Sequence, residues 1–262
     1  MRKLIFTVIK AVLFFAGWIV LVSAIPAPDC ENPAVWRFLA ELIPLLAIAG
    51  ISVLFWRIEK KEICVCSFDH LGSGCLIGTV GGVLWVGAVF LIMRGIGALK
   101  VEGYAPVSLL WLWFLAVFLN TVMQELLVRG YLYQMIKSNY NVGGAVLVSS
   151  ALFTLLHGGA FEAGILPVFN VFTMSLLMSV LLEKTGSLAA PIMMHFLWNG
   201  IGALVLGGVS LAEDYPHMLT CRFSGNEFLS GGVCGMEGSV VVFVVNVALI
   251  SLVYIRRGWK GE

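Results

Sequence analysis

His157, His195 and Asn199 stand in runs that are otherwise apolar, LFTLLHGG and PIMMHFLWNG. An imidazole titrates near neutral pH, so it can take a proton or supply one. Asn is a neutral donor, and at four residues from His195 it shares that residue's helix face. A third polar cluster lies in TVMQELLVRGYLYQMI, residues 121–136, with Gln124, Glu125 and Arg129, and with Asn120 just ahead of it. Asn120 and Gln124 share one helix face, and Glu125 and Arg129 share another, rotated by about 100°. Glu125 and Arg129 read first as an internal ion pair whose charges cancel. Glu125 could instead join His157 and His195, since two His and one Glu form a known catalytic zinc set. Arg129 would then lose its partner. Each residue also has a plainer use, because a lone His, Asn or Gln in an apolar helix can bond a neighbouring helix. Asn170 and Asn246 are read that way, Glu41 as interfacial and Glu162 as exposed at the outer surface.

The elements that must hold these residues are membrane helices. The chain has 262 residues, of which 60% are hydrophobic and 12% charged, against about 25% charged in soluble domains. A span needs about 20 mainly apolar residues. The stretches 4–25, 35–56, 74–93, 105–128, 142–157, 163–182, 187–208 and 238–255 qualify, the fifth being short and polar at its end. The expectation is an all-α polytopic membrane helix bundle of about eight transmembrane helices, a single integral membrane domain over 1–262. The fourth helix should run on through Lys137, because nothing after Gly130 breaks it. At ~1.5 Å per residue, Gln124, His157 and His195 come to ~20, ~24 and ~17 Å above the cytoplasmic ends of their helices. Similar depth on separate spans is what one shared site requires. Ionisable groups at such depth are expensive and usually functional.

Charge sets the expected orientation. With the N-terminus inside, twelve of the 16 Lys and Arg are cytoplasmic, Arg129 and the tail residues Arg256, Arg257 and Lys260 among them. Arg37, Arg94, Lys100 and Arg222 are then outside. The positive-inside rule puts both termini in the cytoplasm. The first apolar run is about span length and Lys10 interrupts its start, so it reads as an uncleaved span and not a leader. Cys221 and Cys234 flank an outer loop, where the compartment permits either a disulfide or two free thiols. Cys64, Cys66, His70 and Cys75 have no standard metal-ligand spacing and read as a juxtamembrane loop. Gly74, Gly78 and Gly82 form a small-residue stripe suited to close helix packing. No basic tract suggests nucleic acid. A transporter would show paired broken helices in two halves, and no such pairing is visible.

QELLVRGYL, LFTLLH and TGSLAAPIMMHFLWN together resemble the three motifs of the CAAX protease and bacteriocin-processing family (CPBP, Abi), the type II CAAX prenyl endopeptidases and their bacterial relatives. The family pattern is E-E-x-x-x-R, then F-x-x-x-H, then H-x-x-x-N/D. The second motif falls on Phe153 to His157 and the third on His195 to Asn199. The resemblance covers about 121–200, the family core, and residues 1–100 match nothing specific. It implies intramembrane hydrolysis of a peptide bond in a membrane-associated or prenylated substrate. It implies that the first Glu of the pair activates water with His157, while His195 and Asn199 stabilise the oxyanion. Both metalloprotease descriptions, with Zn, and a metal-free glutamate mechanism exist for the family. It further implies membrane lipid and a peptide or protein as partners, and a bacterial plasma membrane as the place.

The first motif departs from the pattern. The first Glu position is Gln124, the second is Glu125, and the Arg is Arg129. A Gln amide cannot take a proton, and losing a general base commonly costs ~10²–10⁴ in rate. Three readings stay open. His157 acts as base alone; or Glu125 takes over, as base or zinc ligand; or the chain is a weak or inactive relative that binds a peptide or confers bacteriocin immunity. A deliberate Glu-to-Gln change made to trap substrate would look the same.

Overall fold

The computed structural model describes residues 1–65, 67–211 and 214–255. Cys66 and the basic tail residues Arg256, Arg257 and Lys260 lie outside them. In chain order the helices are α1 (Arg2–Ala24), α2 (Pro33–Ile58), α3 (Leu71–Gly95), α4 (Leu110–Glu125), α5 (Tyr131–Asn139), α6 (Val142–Leu156), α7 (Gly158–Ala163), α8 (Ile165–Thr185), α9 (Ala189–Asn199), α10 (Glu227–Ser230) and α11 (Val240–Ile255). Two π-helical segments, Leu126–Gly130 and Gly200–Val205, extend α4 and α9, and a 3₁₀ segment, Gly232–Gly238, precedes α11. Two strands, β1 (Leu99–Tyr104) and β2 (Leu219–Phe223), are present among the described residues.

Among the described residues six helical stretches are long and apolar enough to cross a membrane: Arg2–Ala24, Pro33–Ile58, Leu71–Gly95, Leu110–Asn139, Ile165–Thr185 and Gly232–Ile255. Two shorter apolar ones are Val142–Leu156 and Ala189–Val205. The chain is an all-α polytopic membrane protein. Helix does continue from α4 to Asn139, past Lys137. It starts at Leu110 and not at 105, because Ala105 N–H still donates to Met218 O at the end of a β-ribbon. Pro106 also holds Ala105 out of the helical region.

The chain divides into two compact units. The first comprises Met1–Phe68 and Trp111–Ser149. Asn32 caps α2 by accepting from the N–H groups of Ala34 and Val35, with Pro33 at the first helical position. Phe14 of α1 packs against Phe55 of α2 and Tyr131 of α5, with ring centroids 5.4 and 5.0 Å apart. Tyr131 donates to Glu59 Oε1 at 2.8 Å, and Lys10 Nζ reaches the same oxygen at 2.6 Å. The helix that follows the first π segment is thereby tied to α1 and α2.

The second unit comprises Asp69–Leu110 and Ser150–Glu262. Here α3 lies close along α9, and the glycine stripe explains how. A Cβ on Gly74 would come within 2.9 Å of Ser187 Cβ, and one on Gly82 within 2.9 Å of Leu197 Cβ. A Cβ on Gly78 would fall on the carbonyl oxygen of Ala190 and 2.9 Å from Met193 Cβ. Only glycine permits this approach, as small residues do at membrane helix interfaces. Farther along, Trp85 of α3 stacks on Trp198 of α9 at 4.2 Å. The helix carrying His195 and Asn199 is thus held along its length. Gly78→Ala is expected to destabilise the protein by about 1–3 kcal/mol, since backbone must move to admit the methyl. The control is Gly87→Ala, where a Cβ meets nothing within 4 Å. Thermal unfolding of the two purified variants in one detergent checks this.

Asn170 and Asn246 serve as interhelical links. Asn170 Nδ2 donates to Glu237 O and Ser239 O, and Asn246 Nδ2 donates to Asn170 O and Thr173 Oγ1. They join α8 to α11 and the segment before it. The β-ribbon, which the apolar pattern did not predict, pairs β1 with β2 antiparallel, Lys100 opposite Arg222 and Val101 opposite Cys221. Cys221 and Cys234 are both free. Burial pushes the Cys221 thiol up from its ordinary pKa, which makes it a poor nucleophile.

Candidate functional site

The motif residues fall in two groups, one in each unit. In the first unit Arg129 Nη1 lies 2.8 Å from Glu125 Oε2, and both side chains are fully buried. Arg129 therefore does not act as a loop charge in the topology count. The pair closes across the π segment Leu126–Gly130, an irregularity common at functional sites. On the neighbouring face Gln124 Nε2 donates to Asn120 Oδ1 at 2.6 Å. Asn120 Nδ2 in turn donates to Glu41 Oε2 at 2.8 Å. Arg37 Nη1 reaches Glu41 Oε1 at 3.3 Å. Glu41 was expected at the interface, but it is only 6% exposed. Its burial is made tolerable by these two donors, as a buried carboxylate requires.

In the second unit His157 sits where α6 breaks, with φ −96° and ψ 61°. The break leaves the last carbonyls of α6 short of partners. His157 N–H turns to Thr154 O, and the imidazole Nδ1 lies 2.7 Å from Phe153 O. A carbonyl only accepts, so Nδ1 carries the hydrogen and Nε2 of the neutral ring carries the lone pair. The F-x-x-x-H spacing has a physical reason here: four residues is the distance over which a side chain replaces the helical N–H. The Phe153 ring also touches both imidazoles, with centroids 4.2 Å from His157 and 5.8 Å from His195. Phe153 is 1% exposed and His195 is 1% exposed. Asn199 is the last residue of α9, one turn beyond His195, and the second π segment begins directly after it. Its side chain is 6% exposed and makes no hydrogen bond among the described residues.

Zinc fits these residues poorly. The carboxylate of Glu125 is engaged by Arg129 on its own helix. Among the described residues no three or more His, Cys, Asp or Glu side chains are grouped to hold a metal.

Residues 106–201 match the family model described as Rce1-like, type II CAAX prenyl endopeptidase Rce1-like. Over these residues the chain is similar to the type II CAAX prenyl endopeptidases. The match spans more than a third of the chain and takes in all three motifs. No curated protein matches the sequence. The match supports a CAAX-type intramembrane protease in general. Glu41 lies outside the matched segment. From the sequence it reads as interfacial, a carboxylate in an apolar run, ELIPLLAIAG, with Arg37 four residues before it.

Proposed function

We propose that this protein is an intramembrane endopeptidase that hydrolyses a peptide bond next to the bilayer, with His157 as general base. Water attacks the scissile carbonyl carbon as His157 Nε2 takes its proton. The carbonyl oxygen becomes an oxyanion and accepts hydrogen bonds from His195 and Asn199. The tetrahedral intermediate then collapses, the C–N bond breaks, and the leaving amine takes the proton back from His157. The observation that carries this reading is the bond of His157 Nδ1 to Phe153 O, which leaves Nε2 as the basic nitrogen. A prenylated CAAX peptide is one candidate substrate. The plasma membrane of a bacterium, with both termini cytoplasmic, is the proposed setting.

The test is cleavage of a membrane-proximal peptide by purified protein. Asn199→Ala and His195→Ala are each expected to lower kcat by ~10²–10³, the usual worth of an oxyanion donor. Undiminished cleavage by both variants overturns the assignment. A second reading is favoured by Gln124, an amide at the family's water-activating position. It makes the chain a peptide-binding or bacteriocin-immunity protein without turnover. In that case the cellular effect survives His195→Ala and Asn199→Ala, and the purified parent cleaves nothing.

A further inference from the structure

We infer that Glu41 is a positioning residue for Gln124, acting through Asn120 to leave the Gln124 carbonyl oxygen as the available acceptor. This rests on the peptidase reading for its consequence, but not for its geometry. The inference follows from the direction in which each group can bond. Both oxygens of Glu41 accept, Oε1 from the Arg37 guanidinium and Oε2 from Asn120. Guanidinium nitrogens only donate, so the carboxylate has no proton to offer on that side. Asn120 must then present its Nδ2 to Glu41, which leaves Oδ1 to face α4. Gln124, one turn along, can meet that oxygen only with its NH₂ group. Its own Oε1 is what remains. That atom is buried and has no hydrogen-bond partner among the described residues.

A buried acceptor without a partner is costly unless something supplies a donor. Water or a substrate N–H supplies one. Amide orientation is normally the least certain feature of an Asn or Gln, since the two ends have the same shape. Here a carboxylate at the head of the chain removes the ambiguity for both amides. The negative charge that the family keeps at the first motif position is not lost from this protein. It stands two hydrogen bonds away, on α2, 83 residues earlier in the chain. Gln124 can hold and orient a water through Oε1, while the proton goes elsewhere.

The relay can be read directly. The chain has two glutamines, Gln124 and Gln134, so labelling glutamine side chains with nitrogen-15 gives two amide pairs to follow. Hydrogen exchange of the Gln124 NH₂ is expected to be about ten- to hundredfold slower in the parent protein than in Asn120→Leu or Glu41→Gln, the range for losing a bond tied to a charge. Equal exchange in parent and variants overturns the relay. In the cleavage assay the same variants should lose about ten- to hundredfold in kcat with KM little changed. Undiminished kcat in both, from a parent that cleaves and loses cleavage on His157→Ala, overturns the positioning role. A parent that does not cleave, or still cleaves as His157→Ala, fails the peptidase reading, and the amide exchange then decides the relay alone. Asn120→Leu leaves the Arg37–Glu41 pair intact, so it remains decisive if Glu41→Gln does not fold.

Discussion

The double variant Glu41→Gln/Gln124→Glu is expected to cleave a membrane-proximal peptide ~10²–10⁴ faster than the parent, the usual worth of a general base. The parent holds an amide at position 124 and a carboxylate at position 41, with Asn120 bonded to both. Exchanging them reverses the direction of the chain and keeps every bond. The new amide at position 41 would donate to the Asn120 oxygen. Asn120 would in turn donate to a carboxylate at position 124. Gln124→Glu alone should gain less. Two carboxylates would then converge on one Asn120 amide whose oxygen faces position 124, and two like charges so close favour protonating one of them. The measurement is kcat/KM for the parent, both single variants and the double variant on one peptide. A double variant no faster than the parent would show that position 124 is not where a base belongs.

His157→Ala is expected to lower kcat by ~10²–10⁴ in the parent background. With an amide at position 124, the imidazole is the group assigned to take the proton from water. Its Nδ1 is committed to Phe153 O, so the ring cannot present the other nitrogen without losing that bond. The same substitution should cost less in the Glu41→Gln/Gln124→Glu background, where a second base exists. Equal losses in the two backgrounds would mean that the new carboxylate does not share the proton transfer. Full activity of His157→Ala in the parent would remove His157 from the mechanism. Single-turnover measurement on the four proteins separates these outcomes from slow product release.

How much of this was legible in the sequence depends on distance along the chain. Membrane helices follow from composition, because ~20 apolar residues suffice to name a span. The Glu125–Arg129, Gln124–Asn120 and His195–Asn199 groupings follow from helical spacing, which is local. The glycine stripe is local too, although the partner it admits, α9, could not be named from α3 alone. Family motifs added roles to residues that spacing had only grouped.

The tertiary structure decided what rests on long-range contact or on a broken local rule. Glu41 looked interfacial because it lies near the outer end of its span with Arg37 four residues before it, whereas Asn120 lies 79 residues away. The β-ribbon joins strands more than a hundred residues apart through Lys100 and Arg222, and short strands between spans leave no periodic signal. The π segments after Glu125 and Asn199 depend on how their helices are held, and hydrophobic period cannot distinguish one extra residue in a turn. His157 shows the division most clearly. Its spacing from Phe153 could be read from the sequence, but only the break after Leu156 turned that spacing into a hydrogen bond. Sequence thus determined which side chains could do chemistry, because their types and local spacing are one-dimensional facts. Folding determined which nitrogen and which oxygen they present, because that depends on donors and acceptors brought in from elsewhere in the chain.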